Sequence, residues 1–290
     1  MKRLVNGYEK LTHDVLKPVL DRFDLSIYPK VRVADVIDPD TVGATGALKT
    51  YALKAHFDFV ICRDEWNPVY AIEFDGPLHA ASAQAERDLK KDELCQRDRM
   101  PILRIHSAHL SKDYTDMTLL GWMVEIAEMQ RVFDQEQEAG RISWNEDFDP
   151  FNLMSMDPDE PRYPYWISGK ARVRIERLHA TGRIHHPSSS GFIGLDSRGR
   201  FVGAELMAVT PGDGVLVKAE MRQQQFPVPF GDLLQEILAV QLAQKVELWI
   251  KTGNGAEPLS DIYSRASALR KSLQLRSSHS VGDVTNLWMF

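Results

Sequence analysis

The sequence predicts an α/β protein: a first part whose elements run helix, strands including a hairpin, helix, strand, helix, and a smaller α+β part after it. Three features predict it. Apolar residues recur at helical spacing over residues 8–23 and 117–132, and two β-rich runs at 56–62 and 69–75 are joined by a loop of hairpin length. An acidic, proline-broken stretch at 134–160 then parts the chain. The expected division is a domain at 1–133, an acidic linker at 134–160 and a second domain at 161–290.

Composition bounds the class. With 290 residues, 43% apolar and 26% charged, the chain is neither wholly disordered nor collagen-like. No stretch approaches the ~18 consecutive apolar residues of a spanning helix, and Met1-Lys-Arg-Leu-Val lacks the apolar run of a secretory signal. A cytoplasmic protein with no membrane partner is expected. The two cysteines, Cys62 and Cys95, have no Cys-x-x-Cys spacing, which argues against a disulfide framework or a zinc ribbon and for two small core residues. The net charge of −6 hides a segregation. Residues 134–160 carry nine acids against Arg141 alone, whereas 162–200 carry eight bases against Glu176 and Asp196.

Taken in order, residues 8–23 read as a helix with Leu11, Val15, Leu16, Val19 and Leu20 apolar, kinked or restarted at Pro18. The strand at 56–62 alternates His56, Asp58, Val60 and Cys62 on one face with Phe57, Phe59 and Ile61 on the other. The strand at 69–75 places Val69, Ala71, Glu73 and Asp75 together. Pairing Arg63 with Pro68 sets Cys62 opposite Val69, Val60 opposite Ala71 and Asp58 opposite Glu73. A charged helix follows at 83–98, a short buried strand at 101–105 and the apolar helix at 117–132. In the second part, 191–209 reads as a hairpin around Asp196-Ser-Arg-Gly-Arg200, 214–221 as a strand, 230–245 as a helix and 246–252 as a strand.

Asp58, Glu73 and Asp75 would thus converge on one sheet face. Opposed, partly buried carboxylates repel and lose hydration unless neutralised, and a hard divalent cation such as Mg²⁺ or Mn²⁺ neutralises them. The other reading leaves Asp58 and Glu73 at frayed strand ends, pointing into solvent. On the next helix Gln84, Asp88, Lys91 and Cys95 share a stripe that continues into Leu94, so Lys91 projects toward the sheet. There an ammonium can stabilise charge developing on a phosphate. An exposed Asp88–Lys91 helix pair is the alternative.

As an ordered set, His56-Phe-Asp58-Phe-Val, Ala71-Ile-Glu73-Phe-Asp75-Gly76, His79, Gln84, Glu86-Arg-Asp88, Lys91-Asp92 and Pro101-Ile-Leu-Arg104-Ile resemble the PD-(D/E)xK nuclease superfamily. More narrowly, they resemble its very-short-patch-repair-like branch and a related bacterial domain of unknown function. The resemblance reaches from residue 1 to about residue 112. It implies a restriction-endonuclease-like mixed sheet flanked by helices, with Asp58 and Glu73, and Asp75 as a further donor, holding Mg²⁺ or Mn²⁺. Asp75 stands where the family carries a lysine, and Lys91 is the candidate for that role. Glu9 matches a supporting first-helix Glu, with Gln84 and Asp88 as further supporting residues. His79 is either a phosphate or water ligand or a loop residue, and Arg104 either contacts phosphate or pairs with a carboxylate.

In the second part, Arg162, Lys170, Arg172 and Arg174 could contact phosphates while Tyr163, Tyr165 and Trp166 stack on bases, unless the aromatics pack at a domain interface. His179, His185, His186 and Asp196 fit no zinc spacing. The expected function is a metal-dependent nuclease that hydrolyses phosphodiester bonds in DNA, ahead of RNA, in repair, restriction or antiphage defence. Its C-terminal part would bind nucleic acid or a protein partner. The competing expectation is a non-catalytic nuclease-like module that binds nucleic acid or supports assembly.

Overall fold

The computed structural model describes residues 6–64, 66–75, 82–112, 117–150 and 167–279, with the backbone alone at 82–85. The chain divides into two compact units, Met1–Phe148 with Gln224–Val228, and Asp149–Gln223 with Pro229–Phe290. The first unit thus extends past residue 133 and takes back a short segment from far along the chain.

Helix α1 (Gly7–Arg22) starts with a capping box: Asn6 Oδ1 accepts from the Glu9 N–H at 2.9 Å, and Glu9 Oε2 accepts from the Asn6 N–H at 2.9 Å. Of the kink or restart expected at Pro18, the restart does not occur, since one helix runs through it, while Leu16, Val19 and Leu20 are buried. Leu11 is exposed and Thr12 takes the inward position. Then come β1 (Ser26–Arg32), α2 (Gly46–Ala52), β2 (His56–Arg63), β3 (Asn67–Phe74), α3 (Ser82–Asp98), β4 (Ile102–Ile105) and α4 (Leu119–Glu138). Thr118 caps α4, its hydroxyl accepting from the Gly121 N–H.

The sheet order is β1-β2-β3-β4, antiparallel except for the parallel β3–β4 pair, so the sheet is mixed and α3 is the crossover joining its parallel strands. Val60 faces Ala71 as expected, but a bulge after Ile61 sets Cys62 opposite Pro68 and Arg63 opposite Asn67. Pro68 has no N–H for the ladder, and proline in a sheet is found at such irregularities. Strict alternation also fails at the start of β2, where Phe57 joins Val60, Cys62 and Ala71 in a core cluster with Leu94 and Cys95 of α3. Both cysteines are free and buried, and burial pushes the Cys95 thiol up to about 12.

The far edge of β4 is closed by the returning segment. The Ile102 N–H donates to Gln225 O at 2.9 Å, while the Gln224 side chain accepts from the Arg104 N–H at 2.6 Å and donates to Arg104 O at 3.0 Å. An otherwise open strand edge is thereby satisfied. The buried acids of α4 each meet an arginine, Glu125 with Arg22 at 2.7 Å and Glu128 with Arg63 at 2.9 Å.

His109, in the short helix Ser107–Leu110, gives a pH prediction for this unit. Burial, and secondarily the His106 imidazole, pull its pKa down to about 4. The unfolded chain therefore binds the proton first. The contribution is present above the unfolded value near 6.5 and lost as pH falls toward 4, on the order of 3 kcal/mol. Urea unfolding between pH 7 and 4 should show this loss, and His109→Gln should flatten it; an equally steep loss in the variant would contradict it.

The second unit contains α5 (Gly169–Ala180), β5 (Ser190–Leu195), β6 (Phe201–Ala208), β7 (Asp213–Met221), α6 (Phe230–Thr252), β8 (Glu257–Pro258), α7 (Leu259–Lys271) and β9 (Gln274–His279). Its antiparallel sheet has the order β8-β7-β6-β5-β9. One face packs on α5 and α6 through Ile193, Met207, Leu234 and Leu238, and the other on α7 through Phe192, Leu206, Ile262 and Ala266. The hairpin around residue 196 forms as expected. The strand expected at 246–252 does not: those residues complete α6, because Val246 stacks one turn beyond Leu242 in the core, and the helix stops only at Gly253, whose φ is +73°. Helices α5 and α7 and strand β9 arise where no elements were assigned.

Candidate active site

In the first unit a cleft of about 910 Å³ opens among α1, α2, α3 and one end of β2 and β3. Five charged side chains, Glu9, Lys30, Asp58, Glu73 and Lys91, form a linked group beside it. Glu73, only 7% exposed, accepts on Oε1 from Lys91 Nζ at 2.7 Å and from the Asp58 N–H at 3.1 Å. Lys91, 6% exposed, also donates to His56 O at 2.8 Å, and its ammonium lies 5.4 Å from the centre of the Phe57 ring. Asp58 Oδ2 accepts from the Phe74 N–H at 2.9 Å. Asp58 Oδ1 accepts from Lys30 Nζ at 2.6 Å, and the same ammonium reaches Glu9 Oε1 at 2.8 Å.

The local causes are visible. Hairpin β2–β3 brings Asp58 beside Glu73, and Lys91 projects from the same side of α3 as the buried Leu94 and Cys95. Lys90 also lines the cleft but pairs with Glu86, at 2.7 Å, rather than with Glu73. Lys30 lies between the β1–β2 pairs Pro29–Phe59 and Val31–Phe57, which sets it across from Asp58. Its φ of +56° is a left-handed conformation uncommon for a residue with a side chain.

Electrostatics follow from burial and pairing. Burial pushes the Glu73 carboxyl up, Lys91 pulls it back and the nearby Asp58 charge adds to the rise; the net direction is upward. Burial works against the Lys30 ammonium, but Asp58 and Glu9 outweigh it and hold its pKa above the ordinary value.

Asp75 follows another course. It lies just past β3, and Arg104, set beside Glu73 by the parallel register, draws it away. Arg104 Nη1 is 3.4 Å from Asp75 and 3.3 Å from Asp88, and Nη2 is 2.8 Å from Asp92. The expected convergence of three carboxylates on one metal is thus replaced by two groups: Asp58, Glu73 and Glu9 with two lysines, and Asp75, Asp88 and Asp92 around Arg104. Of the two readings open for Arg104, the structure shows the pairing with carboxylates. His79 and the side chain of Gln84 lie outside the described residues.

In the second unit Lys170, Arg172 and Arg174 lie on α5, and Arg162 is outside the described residues. Arg172 pairs with Glu236 at 2.9 Å and Arg174 with Glu247 at 2.8 Å, so α6 already meets both charges.

Lys30 is the residue of the site that the sequence reading missed. Its only signal was a cross-strand position, which needs the β1–β2 register. As for a metal, no three His, Cys, Asp or Glu side chains come together to hold one among the described residues. Asp58 and Glu73 nevertheless present hard oxygens at one place, and magnesium-type ions are commonly held by one or two carboxylates with water and phosphate oxygens beside them. The donor set fits such an ion, provided the Lys30 ammonium yields Asp58 Oδ1.

Residues 1–118 are similar to the family described as a protein of unknown function (DUF2726). That stretch contains Glu9, Lys30, Asp58, Glu73, Lys91 and Arg104. No curated protein and no solved structure matches the chain. Among the described residues no helix is long and apolar enough to cross a membrane.

Proposed function

We propose that the first unit is a metal-dependent nuclease of restriction-endonuclease-like fold, acting in the cytoplasm on DNA ahead of RNA. The observation that carries this reading is the meeting of Asp58, Glu73 and Lys91, from two strands and a helix, inside an open cleft. Asp58 and Glu73 would hold Mg²⁺ or Mn²⁺, which when bound polarises a phosphoryl oxygen and acidifies a water. Lys91 sets its ammonium against Glu73, where positive charge stabilises the negative charge that develops on the phosphate during attack. Tyr8 and Phe74, stacked at 4.8 Å on the cleft wall, offer a face for a base, and Lys54, Arg87 and Lys90 line the cleft for phosphates. Asp75 and Asp88 serve by fixing α3 through Arg104. Repair, restriction or antiphage defence would use such an activity, and the second unit would add nucleic-acid or protein contacts.

One observation favours a second reading, a non-catalytic module that binds nucleic acid. Lys30 and Lys91 already pair with Glu9, Asp58 and Glu73, so the carboxylates are largely neutralised without an ion. Full-length protein incubated with single- and double-stranded DNA and RNA, in Mg²⁺, Mn²⁺ or EDTA, separates the two. The nuclease reading expects cleavage that requires the divalent ion and is lost in Asp58→Ala. Cleavage surviving in EDTA or in Asp58→Ala would overturn it, and salt-dependent binding with no cleavage would establish the module.

A further inference from the structure

The second unit holds a cavity of its own, of about 310 Å³, between the sheet and helices α5 and α6. Two residues of its wall, Glu205 and His279, belong to a row of three across the sheet. The register sets Glu205 of β6 beside Gly191 of β5, and Gly191 beside His279 of β9. A Cβ at Gly191 would lie 2.9 Å from Ala204 O, 3.0 Å from His279 Cε1 and 3.4 Å from Glu205 Cγ. The missing side chain therefore lets His279 Nε2 stand 3.8 Å from Glu205 Oε1 across the intervening strand.

Glu205 is only 3% exposed. Its Oε1 accepts the Ser189 hydroxyl, and among the described residues neither lysine nor arginine pairs with it and Oε2 has no hydrogen-bond partner. The guanidinium lining the same cavity, Arg172, is held by Glu236 at 2.9 Å and by Ser168 Oγ at 2.7 Å. The rest of the wall combines apolar Ile175, Met207, Ala239 and Leu242 with polar Ser188 and Gln235, and Glu176 adds a second carboxylate. A buried carboxylate with so little compensation is stabilised by an incoming positive donor. The apolar residues of the wall suit a carbon skeleton.

We propose that this cavity binds a small organic ammonium compound, its cationic head on Glu205 beside Ser189 and its apolar body against Ile175, Met207 and Leu242. The site lies wholly in the second unit and stands apart from the nuclease reading. Titration calorimetry on the full-length protein tests it with benzylamine, n-hexylamine and agmatine as probes and benzyl alcohol as the uncharged isostere. At least one amine binds, benzyl alcohol binds at least tenfold more weakly than benzylamine, and Glu205→Gln weakens the amine at least tenfold. Ala239→Leu, which fills the cavity from α6 and leaves the carboxylate intact, blocks the amine as well and decides the matter if Glu205→Gln fails to fold. No binding by any of the three amines, equal binding of benzylamine and benzyl alcohol, or amine affinity unchanged in a folded variant overturns the proposal.

Discussion

Lys91→Met is expected to lower the unfolding free energy by about 3–5 kcal/mol, because it leaves Glu73 buried with its charge unmatched. The pair is almost fully enclosed: Glu73 and Lys91 are 7% and 6% exposed, and their charged atoms meet at 2.7 Å. Removing both charges should cost far less, since apolar replacements of similar volume remove the unmatched ion as well. Glu73→Leu/Lys91→Met should therefore regain most of the lost stability in a urea melt while remaining inactive on any substrate the wild type cleaves. That split separates the structural role of the pair from its chemistry. A double variant no more stable than Lys91→Met would show that the ion pair is not what the fold depends on at this position.

The second large effect is expected at Asp58. Asp58→Asn keeps an oxygen that can accept the Phe74 N–H but gives up the charge that Lys30 now faces and that a divalent ion would need. Metal-dependent cleavage should fall by roughly a thousandfold, as several kcal/mol of transition-state stabilisation convert at 1.36 kcal/mol per decade. Stability should change by no more than about 1 kcal/mol, because Asp58 is partly exposed and its ion pair with Lys30 is screened. Initial rates on the preferred substrate, set beside a thermal melt of the same preparation, read both. A variant with undiminished cleavage would remove Asp58 from the reaction.

How much of this was legible in the sequence depends on the range of the interaction. Period-two alternation and a hairpin-length loop were enough to bring Asp58 and Glu73 together, since both signals lie within one local unit. Helical spacing alone chose Lys91 over Lys90. The bulge at Cys62 was not legible, because it comes from the demands of one proline in a ladder. Asp75 was assigned to the metal because its competitor, Arg104, reaches it only through the parallel pairing of β3 with β4. Lys30 was missed for a similar reason: it enters the site from a neighbouring strand, in a left-handed conformation that no propensity predicts. Residues 246–252 alternate like a strand, yet packing on the second unit's core kept them in α6. The edge-closing segment Gln224–Val228 is the extreme case, since it meets β4 across more than a hundred positions of sequence.

The most direct test of the central claim is the binding of Mn²⁺ to the full-length protein, followed by electron paramagnetic resonance in the absence of nucleic acid. Asp58 and Glu73 predict one ion bound. Its affinity should fall at least tenfold in both Asp58→Asn and Glu73→Gln, and should rise in Lys30→Met, where no ammonium competes for Asp58 Oδ1. A protein that binds no Mn²⁺, or binds it equally well in both carboxylate variants, would contradict the account.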